Sequence, residues 1–70
     1  MAIQSIQPGD RVLVDSLLGP LAKRATTAVV PGTTFPVIWV CREEEWDAAQ
    51  TEGREPDAVP WPAEDVRRID

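Results

Sequence analysis

The residues of this chain that could carry out chemistry are few, and their spacing restricts them further. Cys41 is the only thiol, and there is no histidine to activate it or to serve a serine. A Ser-His-Asp or Cys-His nucleophilic arrangement therefore has no base, and no Ser-Lys spacing replaces it. Carboxylates come as Glu43-Glu44-Glu45 and Glu64-Asp65. Acid–base catalysis needs two carboxyls in unlike environments across a cleft, which sequence neighbours at an exposed helix start do not provide. One thiol without imidazole falls short of the four nitrogen or sulfur ligands of a structural zinc. No Asp-x-Asp-x-Asp-Gly run spaces oxygens for calcium. Gly9, Gly19, Gly32 and Gly53 are isolated, so none builds a phosphate-cradling loop. The expectation is a protein that is not an enzyme and holds no metal or cofactor. Cys41, in line with Val37 and Trp39, reads as a small buried hydrophobe.

Recognition is the chemistry that remains, and the tryptophans are its candidates. Three occur in 70 residues, and tryptophan is both enriched at binding hot spots and the largest core filler available. Alternation places Trp39 in the core. Trp46 reads as an anchor between helix and sheet, with contact to a partner as the second reading. Trp61 stands between Pro60 and Pro62, which reduce the entropy lost when such a segment is immobilised on a partner. The candidate partner-binding set is Trp61, Trp46, Pro60, Pro62 and the acids Glu43, Glu44 and Glu45. The plainer reading of those acids is a solvated helix face. A methyl-lysine cage is excluded, because only four aromatics exist and at least two are needed inside.

Charge is unevenly placed. Residues 41–70 hold ten acids against Arg42, Arg54, Arg67 and Arg68, and the whole chain carries −5. Such a surface repels phosphate backbones and anionic lipid, so nucleic acid and membrane are not expected partners. No apolar run approaches a membrane span and no signal peptide is visible. With one unpaired cysteine, the chain reads as cytoplasmic, or as part of a virion assembled in the cytoplasm. Arginine outnumbers lysine, and asparagine, tyrosine and histidine are missing. That is the residue usage of a GC-rich genome, such as an actinobacterium or a phage infecting one.

The elements that must position these residues follow from local signals. Pro8-Gly9 is a turn, Arg11 to Asp15 a strand, Ser16 to Pro20 a loop, and Leu21 to Val30 a second strand. Pro31-Gly32-Thr33-Thr34 is a turn. Phe35 to Cys41 is the strongest strand, apolar on both faces. Phe35, Val37, Trp39 and Cys41 would fill a barrel interior, and Ile38 and Val40 would lie under a lid. That lid is a short helix over residues 43–52, with acids at its N-terminal end, Gly53 at its C-terminal stop and a weak N-cap. Trp46 would press it onto Ile38 or Val40. Arg54 to Pro60 reads as a polar loop, Trp61 to Asp65 as a tight or 3₁₀ turn, and Val66 to Ile69 as a last strand.

The Pro8-Gly9-Asp10 opening before a strand and the Pro62-Ala63-x-x-Val66 closing turn-and-strand resemble the two ends of SH3-like barrels. The resemblance covers the chain ends only. The tyrosine-rich groove of the signalling SH3 family is absent, because the chain has no tyrosine. The likeness implies one mainly-β domain over residues 1–70, a small barrel of four or five strands, and a habit of protein binding rather than proline-peptide recognition. A domain this small buries only ~60% of its unfolded surface, so a protein partner or self-association is the supplement left open. The leading expectation is an interaction or accessory structural module, read as a whole small gene product and concretely as a phage head–tail component. The alternative is an acidic inhibitor occupying a nucleic-acid-binding or other basic surface of a host protein.

Overall fold

Val12 and Val14, two apart in the strand Arg11–Ser16 (β1), are both fully buried, the period-2 signature of a strand with one covered face. The computed structural model describes residues 6–69. After β1 come Gly19–Ala25 (β2), Val37–Cys41 (β3), the helix Glu43–Glu52 (α1), Val59–Pro62 (β4), a 3₁₀ turn at Ala63–Asp65, and Val66–Arg68 (β5). The strands form one antiparallel sheet in the order β4-β3-β2-β1-β5. Among the described residues, no helix is long and apolar enough to cross a membrane.

Strands β4 and β5 lie at opposite edges of this sheet, yet only Ala63–Asp65 separates them in sequence. Four inter-strand steps would hold the edges of a flat sheet about 19 Å apart, whereas three 3₁₀ residues rise only about 6 Å. The sheet must therefore roll. Its curvature is pinned at the surface, where Trp61 of β4 donates its indole N–H to the Asp15 carbonyl of β1 at 3.2 Å. No ladder joins β4 to β5 among the described residues, so the sheet is rolled but open, and the expected closed barrel is corrected to that extent. Ile6, Val12, Val14, Ala25, Ile38, Val40 and Val66 fill the interior, with Trp61 and Ala63 packed against them.

The faces of β3 are the reverse of those expected. Ile38 and Val40 line the core, whereas Trp39 is 38% exposed and Phe35 lies outside the strand. A strand apolar on both sides shows that both are covered, but alternation alone cannot say by what. The helix lies on the outer side, and Cys41 and Ala49 are buried outside the core cluster. Trp46 accordingly sits not on Ile38 or Val40 but over Gly9, where an added Cβ would come within 3.2 Å of the indole ring. The helix bounds match those expected, and Gly53 ends it at φ 66°, the left-handed conformation that glycine adopts freely.

Strand β2 is shorter than its composition suggests. Beyond Ala25, the Thr26 N–H and hydroxyl both donate to the Trp39 carbonyl at 2.7 and 3.0 Å. The Thr27 hydroxyl accepts from the Trp39 N–H at 3.3 Å. Threonine hydroxyls thus enter the ladder and interrupt it, and the segment returns to β3 only at the single bridge of Val30 with Val37. Residues 59–62, expected as loop and turn, form β4 despite two prolines. Ala63 donates to the Pro36 carbonyl at 3.0 Å, so antiparallel alternation points the Trp61 and Val59 amides inward and the nitrogens of Pro60 and Pro62 outward. An edge strand tolerates proline in that orientation, where no donor is offered to a further strand.

Ile38 and Leu18 are the contrasting tests of this packing. Ile38→Ala is expected to cost about 2–5 kcal/mol, and Leu18→Ala, with 92% of its surface exposed, no more than about 0.5 kcal/mol. Urea unfolding of the two variants measures both. Equal losses would mean that the assigned interior is wrong.

Candidate protein-docking surface

With Ile38 and Val40 turned inward, their strand neighbours face out. The register pairs Val37 with Pro62 and Trp39 with Pro60, so the outer face of β3–β4 is a block of four apolar side chains. The segment before β3 folds back beside it. Gly32 makes this approach possible, since a Cβ there would collide with the Phe35 carbonyl oxygen. The result is an open groove of about 580 Å³ walled by Pro31, Phe35, Val37, Trp39, Pro60 and Pro62.

A second concavity of about 610 Å³ opens at the β1–β2 hairpin, walled by Leu17, Leu18, Leu21, Trp61 and Pro62, with Asp15 and Asp65 on its border. The hairpin is tight. Ser16 donates its hydroxyl to the Gly19 carbonyl at 2.6 Å and accepts from the Leu18 N–H at 3.2 Å, and Gly19 takes φ 103°. This geometry carries Leu17 and Leu18 fully into solvent, at 106% and 92% exposure. Trp61 is half-buried, its ring held by the Asp15 carbonyl and set against the core. Pro62 borders both concavities, so the two form one apolar surface.

The predicted acids go elsewhere. Glu43 accepts from the Arg11 Nε at 3.0 Å and lies 3.5 Å from the Arg24 Nε. Glu45 accepts from both terminal nitrogens of Arg54, at 2.6 and 3.3 Å, and from the Asp57 N–H at 2.9 Å, which ties the loop after α1 back to the helix. Glu44 alone of the three has no partner among the described residues. None of these acids, nor Trp46, lines either concavity. Of the seven candidate residues, the structure gathers Trp61, Pro60 and Pro62 and leaves the helix residues apart. Cys41 is buried, and its thiol is pushed up by that burial and then by the Glu45 charge, which disfavours the reactive thiolate.

Leu17, Leu18, Leu21, Phe35 and Trp39 were not among the sequence candidates. The readable signal at the hairpin was an apolar pair directly before Gly19-Pro20, where polar turn residues are the norm. For Trp39 no signal was present, because its face was ambiguous. Comparison with models of protein families, with curated proteins and with solved structures finds no match to this chain.

The Glu45 cluster sets a pH dependence. Hydrogen bonds from Arg54, then from the Asp57 amide, lower its carboxyl from 4.5 to about 2. A carboxyl depressed on folding adds stability in full above its unfolded value, and that stability is lost as pH falls toward the folded one. The Glu45 contribution is thus complete above about pH 5 and lost on acidification toward pH 2. Melting temperatures measured across this range should fall more steeply for the native chain than for Glu45→Gln. Parallel curves would show that the cluster does not form.

Proposed function

We propose that the protein is a non-enzymatic interaction module that docks a protein partner on the apolar surface centred on Pro62. The observation that carries this reading is the grouping of its exposed hydrophobics. Five of the seven exposed large hydrophobics among the described residues, Leu17, Leu18, Leu21, Phe35 and Trp39, border two adjoining concavities, with Val29 and Val59 outside them, and large apolar residues so gathered mark interaction sites, whereas scattered ones need no explanation. The surface is also stiff. Prolines 31, 60 and 62, a tight hairpin and an anchored indole leave little conformational entropy to lose on binding. In its concrete form the module is an accessory subunit of a larger assembly, with a phage head–tail component as the form that the arginine-rich, asparagine-free composition supports. The acidic-inhibitor alternative loses support, since Glu43 and Glu45 are already engaged by Arg11, Arg24 and Arg54.

A tagged chain and a Leu18→Ser/Trp39→Ser variant, compared by affinity capture and light-scattering mass, test the proposal. The native chain should form a complex with a distinct protein, or associate with itself, and the variant should lose at least about tenfold in affinity with an unchanged circular dichroism spectrum. A native chain that stays monomeric and alone, or a variant that keeps the same complexes, would overturn it.

A further inference from the structure

The hairpin concavity carries information about its occupant that the proline-lined groove does not. Asp15 and Asp65 border it, no basic side chain lines it, and neither carboxylate has a hydrogen-bond or ion-pair partner among the described residues. The acids nearest the basic residues are engaged instead: Asp10 pairs with Arg68, Glu43 with Arg11, Glu45 and Glu52 with Arg54. What distinguishes this cleft is two unpaired carboxylates set beside two fully exposed leucines, with no cation in the lining to offset them. We infer that this cleft receives a basic amphipathic helix of a partner protein, its large apolar side chains against Leu17, Leu18, Leu21 and Trp61, and a lysine or arginine against Asp15 and Asp65. The inference rests on the interaction-module reading and names the chemistry of the partner.

Each other occupant meets an obstacle. A second copy in a two-fold contact would set Asp15 and Asp65 against their own counterparts, on a chain already carrying −5. Nucleic acid and anionic lipid would bring phosphates to the same carboxylates. An added strand would find no donor on the neighbouring edge at Pro60 and Pro62, and its own backbone groups would be buried unpaired. A helix brings its backbone bonds satisfied and lays an apolar stripe into a groove, with spacing that reads i, i+3, i+4 and i+7. The space of about 610 Å³ is of the size that takes such side chains. Once the helix excludes water, the attraction between its cation and the two aspartates strengthens, which fixes orientation as much as affinity.

The test uses an amphipathic leucine–lysine helical peptide and its leucine–glutamate counterpart of identical pattern, each titrated into the ¹⁵N-labelled chain. The Trp61 indole N–H is assigned with Trp61→Phe. The lysine peptide should shift the Leu17 and Leu18 amides and the Trp61 indole and bind at least tenfold more tightly than the glutamate peptide. That preference should weaken as salt rises, shrink in Asp15→Asn/Asp65→Asn and reverse in Asp15→Lys/Asp65→Lys. Equal affinity for the two peptides overturns the inference. So do shifts confined to α1, cleft shifts that appear on concentrating the chain alone, or binding to vesicles of anionic phospholipid in place of the peptide. If the Trp39-dependent complexes persist while the lysine peptide leaves the cleft unmoved, the basic-helix assignment fails and the interaction-module reading stands. If both are absent, both fail.

Discussion

The three-residue connection between the two outermost strands governs the rest of this structure. Because Ala63–Asp65 cannot reach across a flat five-stranded sheet, the sheet rolls, and the roll creates an interior for a chain too short to build one by stacking layers. Trp61 is placed by the same constraint, its ring set against the core and its N–H on the Asp15 carbonyl at 3.2 Å. One side chain thus closes the open side of the roll and shapes the wall of the hairpin concavity. Once Trp61 and Ile38 point inward, the register leaves Val37, Trp39, Pro60 and Pro62 no choice but to face out.

That outward face is notable against the scale of the interior. The fully buried side chains are small or medium, with Ile38, Val12, Val14 and Val40 the largest, while Trp39, Phe35, Leu17 and Leu18 lie at the surface. Hydrophobic stabilisation grows with the apolar area removed from water, so folding alone would favour these residues exchanging places. Natural sequences agree across levels except where function requires otherwise. The rule is broken chiefly around Pro62, with Val29 and Val59 exposed outside that surface, while Cys41 and Ala49 are covered.

Helix α1 was legible in full, because its acids, its length and Gly53 are all local signals. Strand β1 was legible from Val12 and Val14. The residues that misled did so through non-local causes. Trp39 lies outside because β4 and β5 must meet around Ile38 and Val40, a constraint spread over residues 37–68. Residues 59–62 were unreadable as a strand because proline argues against one, and only their place at an edge, with nitrogens outward, removes the objection. Thr26 to Val30 carries strand-forming side chains, but two threonine hydroxyls divert the backbone. At the candidate site, Trp61, Pro60 and Pro62 were readable from type and spacing. Their companions Leu17, Leu18 and Phe35 came from segments that only the roll brings alongside.

The acids differ in their surroundings in ways that the sequence does not display. Glu43, Glu45 and Glu52 of α1 are engaged by arginines at positions 11, 24 and 54, which hold the helix to the first two strands and the following loop to the helix. Exposed pairs of this kind add little individually, and Glu45 differs from the others in geometry, with two guanidinium contacts and an amide converging on one carboxylate. Asp15 and Asp65 are unpaired and lie beside apolar surface. A carboxylate in such a place gains nothing from the fold and limits which partners can approach, because a wrong charge opposite it costs more than a right one returns. Net charge alone would have pointed to the helix as the face that meets a partner. At the hairpin, by contrast, apolar area and unpaired charge coincide.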